Sequence, residues 1–349
     1  MDDLRNVPLT VVGAGAIGGT VGAYLDDAGY DVTLVDTDRG HVETVRERGL
    51  RITGARGEWL FRPRILSAEE LEGPLGPIFL CVKGHFTEGA LRRLESLLAP
   101  DGYVLSLQNG LNEALIAEHI GEERTVGAFV HFGADLLGPG LIQLGYEATI
   151  HVGELDGRIT TRVESLATAL GHAMPARVTG NIWGFLWGKL VFGATGFVVS
   201  CVDAPVAEVI DDPLGRSLCR AASAEAYLVA RTRVERVEPI GTFEPECFAP
   251  GVGMEERADE TLSGLADSWR GAIKQHMGIW RDLRVKRRKT EVDMQVGQIV
   301  AVGRAEGIPT PVNAAVLEVV HEIEAGERGM SWSNLAELSR RTRTGSPTG

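Results

Sequence analysis

The alternation of apolar and polar positions divides the chain into two halves of different character. Up to about residue 180, short apolar runs of strand length alternate with segments of helical spacing. Residues 9–12 (LTVV) form the first such run, residues 18–28 carry a helical pattern, Gly29 breaks it, and residues 32–35 form a second strand closed by Asp36. The alternation continues through RITGARGEWLFRPRIL, IFLCVKG, TEGALRRLESLL, GYVLSLQNG, NEALIAEHIG and TVGAFVHFGADL. Strands separated by helices build a doubly wound, mostly parallel sheet. From Asn181 the strand-like runs stop. NIWGFLWGKLVFGATGFVVSCV is apolar nearly all round, the pattern of a buried helix. SLCRAASAEAYLVARTR, RGAIKQHMGIWRDLRVKRRKTEVDMQVGQIVAVGRAEG and PVNAAVLEVVHEIEAG read as further long helical segments. The expected class is α/β, with a doubly wound sheet over residues 1–180 and an all-helical domain over residues 181–340. Between helices, residues 235–256 contain three prolines and little periodicity, so they read as a loop and a candidate lid. The polar tail, residues 341–349, reads as disordered.

The first turn carries the sharpest chemistry. In TVVGAGAIGG, Gly13, Gly15 and Gly18 have the G-x-G-x-x-G spacing directly after a strand and at the start of a helix. The first glycine serves the tight turn, the second lets a pyrophosphate approach the backbone, and the third lets helix and strand pack closely. The N–H groups of the first helical turn, including Ala16, Ile17 and Gly18, would face the phosphates. Asp36, about twenty positions on, would accept hydrogen bonds from the ribose hydroxyls. A glycine-rich turn of another α/β protein is the bland alternative. A signal peptide or membrane span fits less well, because glycine interrupts the apolar run and the flank MDDLRN is acidic.

Composition narrows the partners. A chain of 349 residues, 44% of them hydrophobic, has room for two domains with separate cores. A net charge of −13 and the absence of interleaved basic and aromatic residues argue against nucleic acid, and no membrane partner is expected. The basic run RVKRRKTE, residues 284–291, reads as the solvated face of a helix. Cys81, Cys201, Cys219 and Cys247 are isolated, so reduced thiols in a cytoplasmic protein are the expectation. The histidines form no H-E-x-x-H or similar ligand set, and no metal is expected.

Ligands of open α/β sheets bind beyond the carboxyl ends of the strands. Lys83 in CVKG and Asn109 in LQNG end apolar runs and so fall beside the glycine turn; the bland readings are a solvated lysine and a simple Asn-Gly turn. Lys189 is the only charge between Ile182 and Val202. A lysine in such surroundings needs a partner, reaches solvent, or faces a wet cleft, where partial desolvation would suit it to give a proton near neutral pH.

These residues resemble the ketopantoate reductases (2-dehydropantoate 2-reductases) over nearly the whole chain. GAGAIGG, CVKG, LSLQNGLNE, HFGA, IHVGELDG, LWGKL, RKTEVDMQVG and AEGIPTPVNAAVLEVV carry the likeness in order and spacing. The resemblance implies a Rossmann domain followed by a helical domain, an active site between them, and reduction of a 2-oxo acid with NAD or NADP as cofactor, as in the pantoate step of pantothenate biosynthesis. It puts Lys189 in the place of the catalytic lysine, Glu291 in that of the catalytic-site glutamate, and Lys83 and Asn109 at the cofactor and substrate. A homodimer is one assembly to be considered. The substrate shell departs from the family pattern. Gly193 and Phe197 stand where asparagines are usual, and His276 and Gly278 fall near a usual serine. Gly193 either enlarges the pocket beside Lys189 or, with Gly196, lets the helix approach a neighbour. The substrate is therefore 2-dehydropantoate or another small keto acid or ketone. A dinucleotide-binding sensor without catalysis is the reading of another class, and it would need neither Lys189 nor Glu291.

Overall fold

Four consecutive buried residues, three of them apolar, give β1 (Leu9–Val12), which feeds the glycine turn, α1 (Ala16–Asp27) and the parallel strand β2 (Val32–Asp36), with Leu9 opposite Val32. In this computed structural model the described residues are 4–271 and 275–344. The chain divides into two units, Met1–Ile182 and Trp183–Gly349.

The first unit continues with α2 (Arg39–Arg48), β3 (Leu50–Gly54), β4 (Trp59–Phe61), β5 (Arg64–Ser67), β6 (Ile78–Leu80), α3 (Thr87–Leu97) and β7 (Val104–Ser106). After these come α4 (Asn112–Ile120), β8 (Thr125–Phe129), β9 (Gly133–Gly138), β10 (Leu141–Tyr146), β11 (Ile150–Glu154), α5 (Thr161–Ala173) and β12 (Ala176–Val178). An eight-stranded sheet has the order β12-β11-β8-β7-β6-β1-β2-β5. Only its β8–β11 pair is antiparallel. Neighbouring residues of β1 serve opposite faces. Val11 joins a core with Val21 and Leu25 of α1 and Leu166 and Leu170 of α5. Val12 joins another with Leu91 and Leu94 of α3 and Ile116 of α4. Burial on both faces is why these strands show no alternation in sequence. A second sheet, β4-β3-β10-β9, was not foreseen; its one parallel pair joins β3 to β10.

The second unit is helical: α6 (Ile182–Ser200), α7 (Val206–Asp211), α8 (Pro213–Arg231), α9 (Met254–Arg270), a single turn α10 (Gly278–Trp280), α11 (Val296–Glu306), α12 (Pro311–Glu324) and α13 (Ser333–Thr344). Helix α6 is long and apolar enough to cross a membrane by length and composition, but 78% of its apolar window is buried inside the fold. It is a core helix held to α8, where the Ser223 hydroxyl donates to the Val191 carbonyl at 3.1 Å and meets the Thr195 hydroxyl at 2.9 Å. Prolines start α8 and α12 at positions whose N–H would lack a helical partner. Glu225 of α8 then accepts from the N–H groups of Val312 and Asn313, closing the N-terminus of α12.

Three expectations need correction. The helical pattern over RGAIKQHMGIWRDLRVKRRKTEVDMQVG is not one helix: α9 stops at Arg270, a π-type turn spans Arg281–Lys286, and Arg287 adopts φ 47, which ends it. The basic run is thus partly a loop. Residues 235–256 are no free lid, because Val237, Ile240, Phe243, Cys247 and Phe248 are buried, Phe243 meets Phe192 edge to face and stacks on Phe248, and α9 begins at Met254. The tail begins inside α13, where Arg341 pairs with Glu318, Glu322 and Glu337; residues 345–349 lie outside the described residues.

Candidate functional site

In the first unit the glycine turn, Lys83, Asn109 and Asp36 follow β1, β6, β7 and β2, four adjacent parallel strands, so they line one carboxyl edge of the sheet. Each glycine has its own reason. Gly13 has φ +97, and a Cβ there would lie 2.8 Å from the Val82 nitrogen; at Gly18 it would lie 2.0 Å from the Gly13 carbonyl oxygen. Only glycine closes the turn this tightly. At Gly15, by contrast, nothing comes within 4 Å of a Cβ position. The backbone is open there, directly over the N-terminus of α1. The N–H groups of Gly15, Ala16, Ile17 and Gly18 have no acceptor among the described residues. An open glycine at a helix start with four uncommitted donors is a cradle for phosphate oxygens.

Asp36 is fixed by the turn it serves. One carboxylate oxygen accepts from the Ala14 N–H at 2.8 Å and the other from the Asp38 N–H at 2.9 Å. His41, 1% exposed, ties the same turn to the second sheet. The Gly140 N–H donates to its Nδ1 at 3.1 Å, which leaves the proton on Nε2 to donate to the Ala14 carbonyl at 3.0 Å. A buried network joins the other two turns: Gln108 Nε2 donates to the Val82 carbonyl and the Thr87 hydroxyl, Thr87 to Asn112 Oδ1, and Asn112 Nδ2 to the Asn109 carbonyl. Lys83 and Asn109, both half-buried, are held at its two ends. The Cys81 thiol beneath the turn is pushed well up by burial, so it stays protonated.

In the second unit Lys189 is half-buried on α6 and Glu291 is 6% exposed in the turn before α11. The segment leading into that turn is anchored twice. The Thr290 N–H and hydroxyl both donate to Glu324 Oε1 at 2.7 Å, while Arg288 Nε donates to the buried Asp282 at 2.9 Å. Residues i and i+4 share a helix face, so Gly193 lies one turn along α6 from Lys189. A Cβ at Gly193 would meet Gln295 Oε1 at 3.0 Å, which seats the Glu291–Gln295 turn against the Lys189 face. At Gly196 the approach is tighter, a Cβ there lying 2.7 Å from Met277 Sδ. Phe197 is fully buried and is a core residue rather than a pocket wall. His276 stacks on Trp280 with centroids 4.0 Å apart, and Trp280 Nε1 donates to Asp203. Gly278 is exposed at the start of α10 with open space at its Cβ position.

The two units match two sequence families. Residues 9–157 match ketopantoate reductase PanE/ApbA and residues 181–324 match its C-terminal domain. A 2-dehydropantoate 2-reductase of Archaeoglobus fulgidus is 30% identical, the alignment taking in 93% of this chain and 100% of that protein. The chain belongs to the ketopantoate reductase family. It is an oxidoreductase acting on CH–OH groups. A 2-dehydropantoate 2-reductase of Mesorhizobium japonicum is 28% identical over 92% of the chain and 98% of its own length. The fold is shared with D-mandelate dehydrogenase solved with NADH and anilino(oxo)acetate (TM-score 0.80, 24% identity, 91% of this chain and 99% of that one). It is shared too with a PanE/ApbA family ketopantoate reductase from Ralstonia eutropha (TM-score 0.76, 24% identity, 92% and 100%).

For this member of the ketopantoate reductase family, reading the sequence missed the residues that hold the site rather than form it. His41, Thr87, Gln108, Asn112, Thr290 and Glu324 are polar residues that each have a partner 21 to 99 positions away. The signal that could have drawn attention to some of them is a polar residue inside an apolar run, as Gln108 is in GYVLSLQNG.

Proposed function

We propose that the chain reduces a 2-oxo acid to the 2-hydroxy acid with NADH or NADPH. What supports this reading is the approach of Gln295, at the end of the turn that begins with the buried Glu291, to Gly193, one turn along α6 from the half-buried Lys189. The open cradle at Gly15 to Gly18 fits the pyrophosphate of a nicotinamide dinucleotide, with Asp36 toward the ribose hydroxyls and Lys83 and Asn109 beside it. When bound, the reduced nicotinamide supplies the hydride that the carbonyl carbon receives. Lys189 polarises the carbonyl oxygen through its Nζ–H and gives that oxygen a proton as the alkoxide forms. Glu291 orients Lys189 or the substrate, and Thr290 and Glu324 hold Glu291 in turn. The curated relatives support 2-dehydropantoate as the acid; the likeness to D-mandelate dehydrogenase keeps a different 2-oxo acid as the second reading.

The test follows nicotinamide absorbance with a panel of 2-oxo acids. Lys189→Met keeps the stem and removes the charge, so kcat falls by ~10² or more while cofactor affinity stays close to that of the parent. Near-normal turnover by a folded Lys189→Met variant removes Lys189 from the mechanism. Stabilisation by the dinucleotide with no turnover of any acid by the parent would favour the sensor reading.

A further inference from the structure

On the Lys189 face of α6 the side chain is missing one turn along, at Gly193, and another residue's amide occupies its place. Gln295 Oε1 lies 3.0 Å from the position a Cβ of residue 193 would take. The close atom is the far end of a flexible side chain, not backbone, so this is a filled gap rather than a helix contact that demands glycine. Gln295 is half-buried, and its amide makes no hydrogen bond among the described residues. Its backbone is fixed while its head stays uncommitted: the Gln295 N–H donates to the Val292 carbonyl at 3.3 Å, and the Glu291 carbonyl accepts from Met294 at 3.1 Å.

We infer that Gln295 is the residue that reads a hydroxyl on the substrate, next to the carbonyl that Lys189 engages; the assignment rests on the reductase reading above. An amide offers a donor and an acceptor together, which a hydroxyl matches with its own acceptor and donor. In the turn that carries Glu291 a second anion is disfavoured, so the group read there is the neutral hydroxyl of the side chain and not the acid's carboxylate. A bare Gly193 does not leave the pocket without an amide; it relocates the amide to the loop.

The test compares 2-dehydropantoate with its analogue lacking the terminal hydroxyl. A site built around a hydroxyl rejects the analogue, so the parent should favour 2-dehydropantoate by ~10² or more in kcat/KM. Gln295→Met, which keeps the volume and removes the amide, should cut that ratio at least ~10-fold, chiefly through KM for the hydroxylated acid, with KM for the dinucleotide held within ~2-fold. Gly193→Asn combined with Gln295→Ala returns the amide from the helix side and should restore much of the ratio. A general loss of packing would not produce either change in the ratio. An unchanged ratio in Gln295→Met overturns the assignment. A parent that reduces both acids equally well overturns it and leaves the reductase reading standing, whereas a parent that reduces no 2-oxo acid at all overturns both.

Discussion

The position of the Asp36 carboxylate is set by its neighbours. Both of its oxygens already accept backbone N–H groups, from Ala14 and Asp38, so the carboxylate cannot swing away from an incoming ribose. Each oxygen keeps a lone pair for a ribose hydroxyl, whereas a 2′-phosphate would meet a fixed negative charge. Arg39 is a solvated cation whose ion pair with Glu69, 3.7 Å between largely exposed side chains, does not fix it over Asp36 to offset that charge. NADH should therefore be used with at least ~10-fold higher kcat/KM than NADPH. A preference for NADPH in steady-state kinetics would mean that Arg39 dominates. Residues of this kind differ in how legible they are. Lys189 stands out in sequence because it is a single charge in an apolar helix. Glu291, in a run of charged residues, is visible only through family resemblance. Gln295 carries no signal at all, since a polar residue in a turn has no period and its meaning arises from Gly193, about a hundred positions earlier.

Elements were readable where burial imposes a period. β1, α1 and β2 fall close to their expected bounds because an apolar run, a glycine turn and a helical stripe each leave a local trace. β9 and β10 were not separable from their surroundings, since GADLLGPGLIQLGY is rich in glycine and β10 depends on a parallel partner, β3, some ninety residues away. The break between α9 and α11 was hidden for a different reason: helical spacing of side chains persists through it, while the backbone leaves the helix after Arg270 and again at Arg287. That residue holds φ 47, a conformation that costs an L-residue roughly 1–2 kcal/mol, against about 0.5–1 kcal/mol for the extra entropy glycine loses. Arg287→Gly should then stabilise the protein by about 0.5–1 kcal/mol, raising Tm by about 1–3 °C. The side chain is exposed, so nothing in the packing opposes the change. A lower Tm in calorimetry would show that Arg287 supplies a contact worth more than the strain it carries.

For the whole molecule the decisive quantity is how its carboxylates respond to acid. The net charge is −13, yet many carboxyl groups of both units are held ionised by arginines. Hydrogen bonds from Arg46 bring Glu70 in the first unit from 4.5 to about 2. Hydrogen bonds from Arg341 and then Arg340 do the same to Glu337 of α13, and Arg341 and Arg328 lower Glu322 of α12. Groups with a lowered folded value stabilise the fold above their unfolded value and lose that contribution as pH falls toward the folded one. Glu225 and Asp26 work in the opposite sense. Burial raises both, so their contribution is complete at low pH and is lost as pH rises through the folded value; with Glu225 this outweighs the three hydrogen bonds it accepts at the start of α12. Lowered groups are the more numerous, and stability should decline from about 4.5 downward to about 2. The α12–α13 network allows a direct test. Glu337→Gln removes the negative charge that pairs with Arg340 and Arg341, so the variant should melt below the parent at neutral pH, and the gap should narrow steadily through that acid window. Added salt should shrink the gap as well, because Arg340 is exposed. A gap in Tm that stays constant from neutral pH into the acid range would mean that Glu337 acts through packing rather than charge.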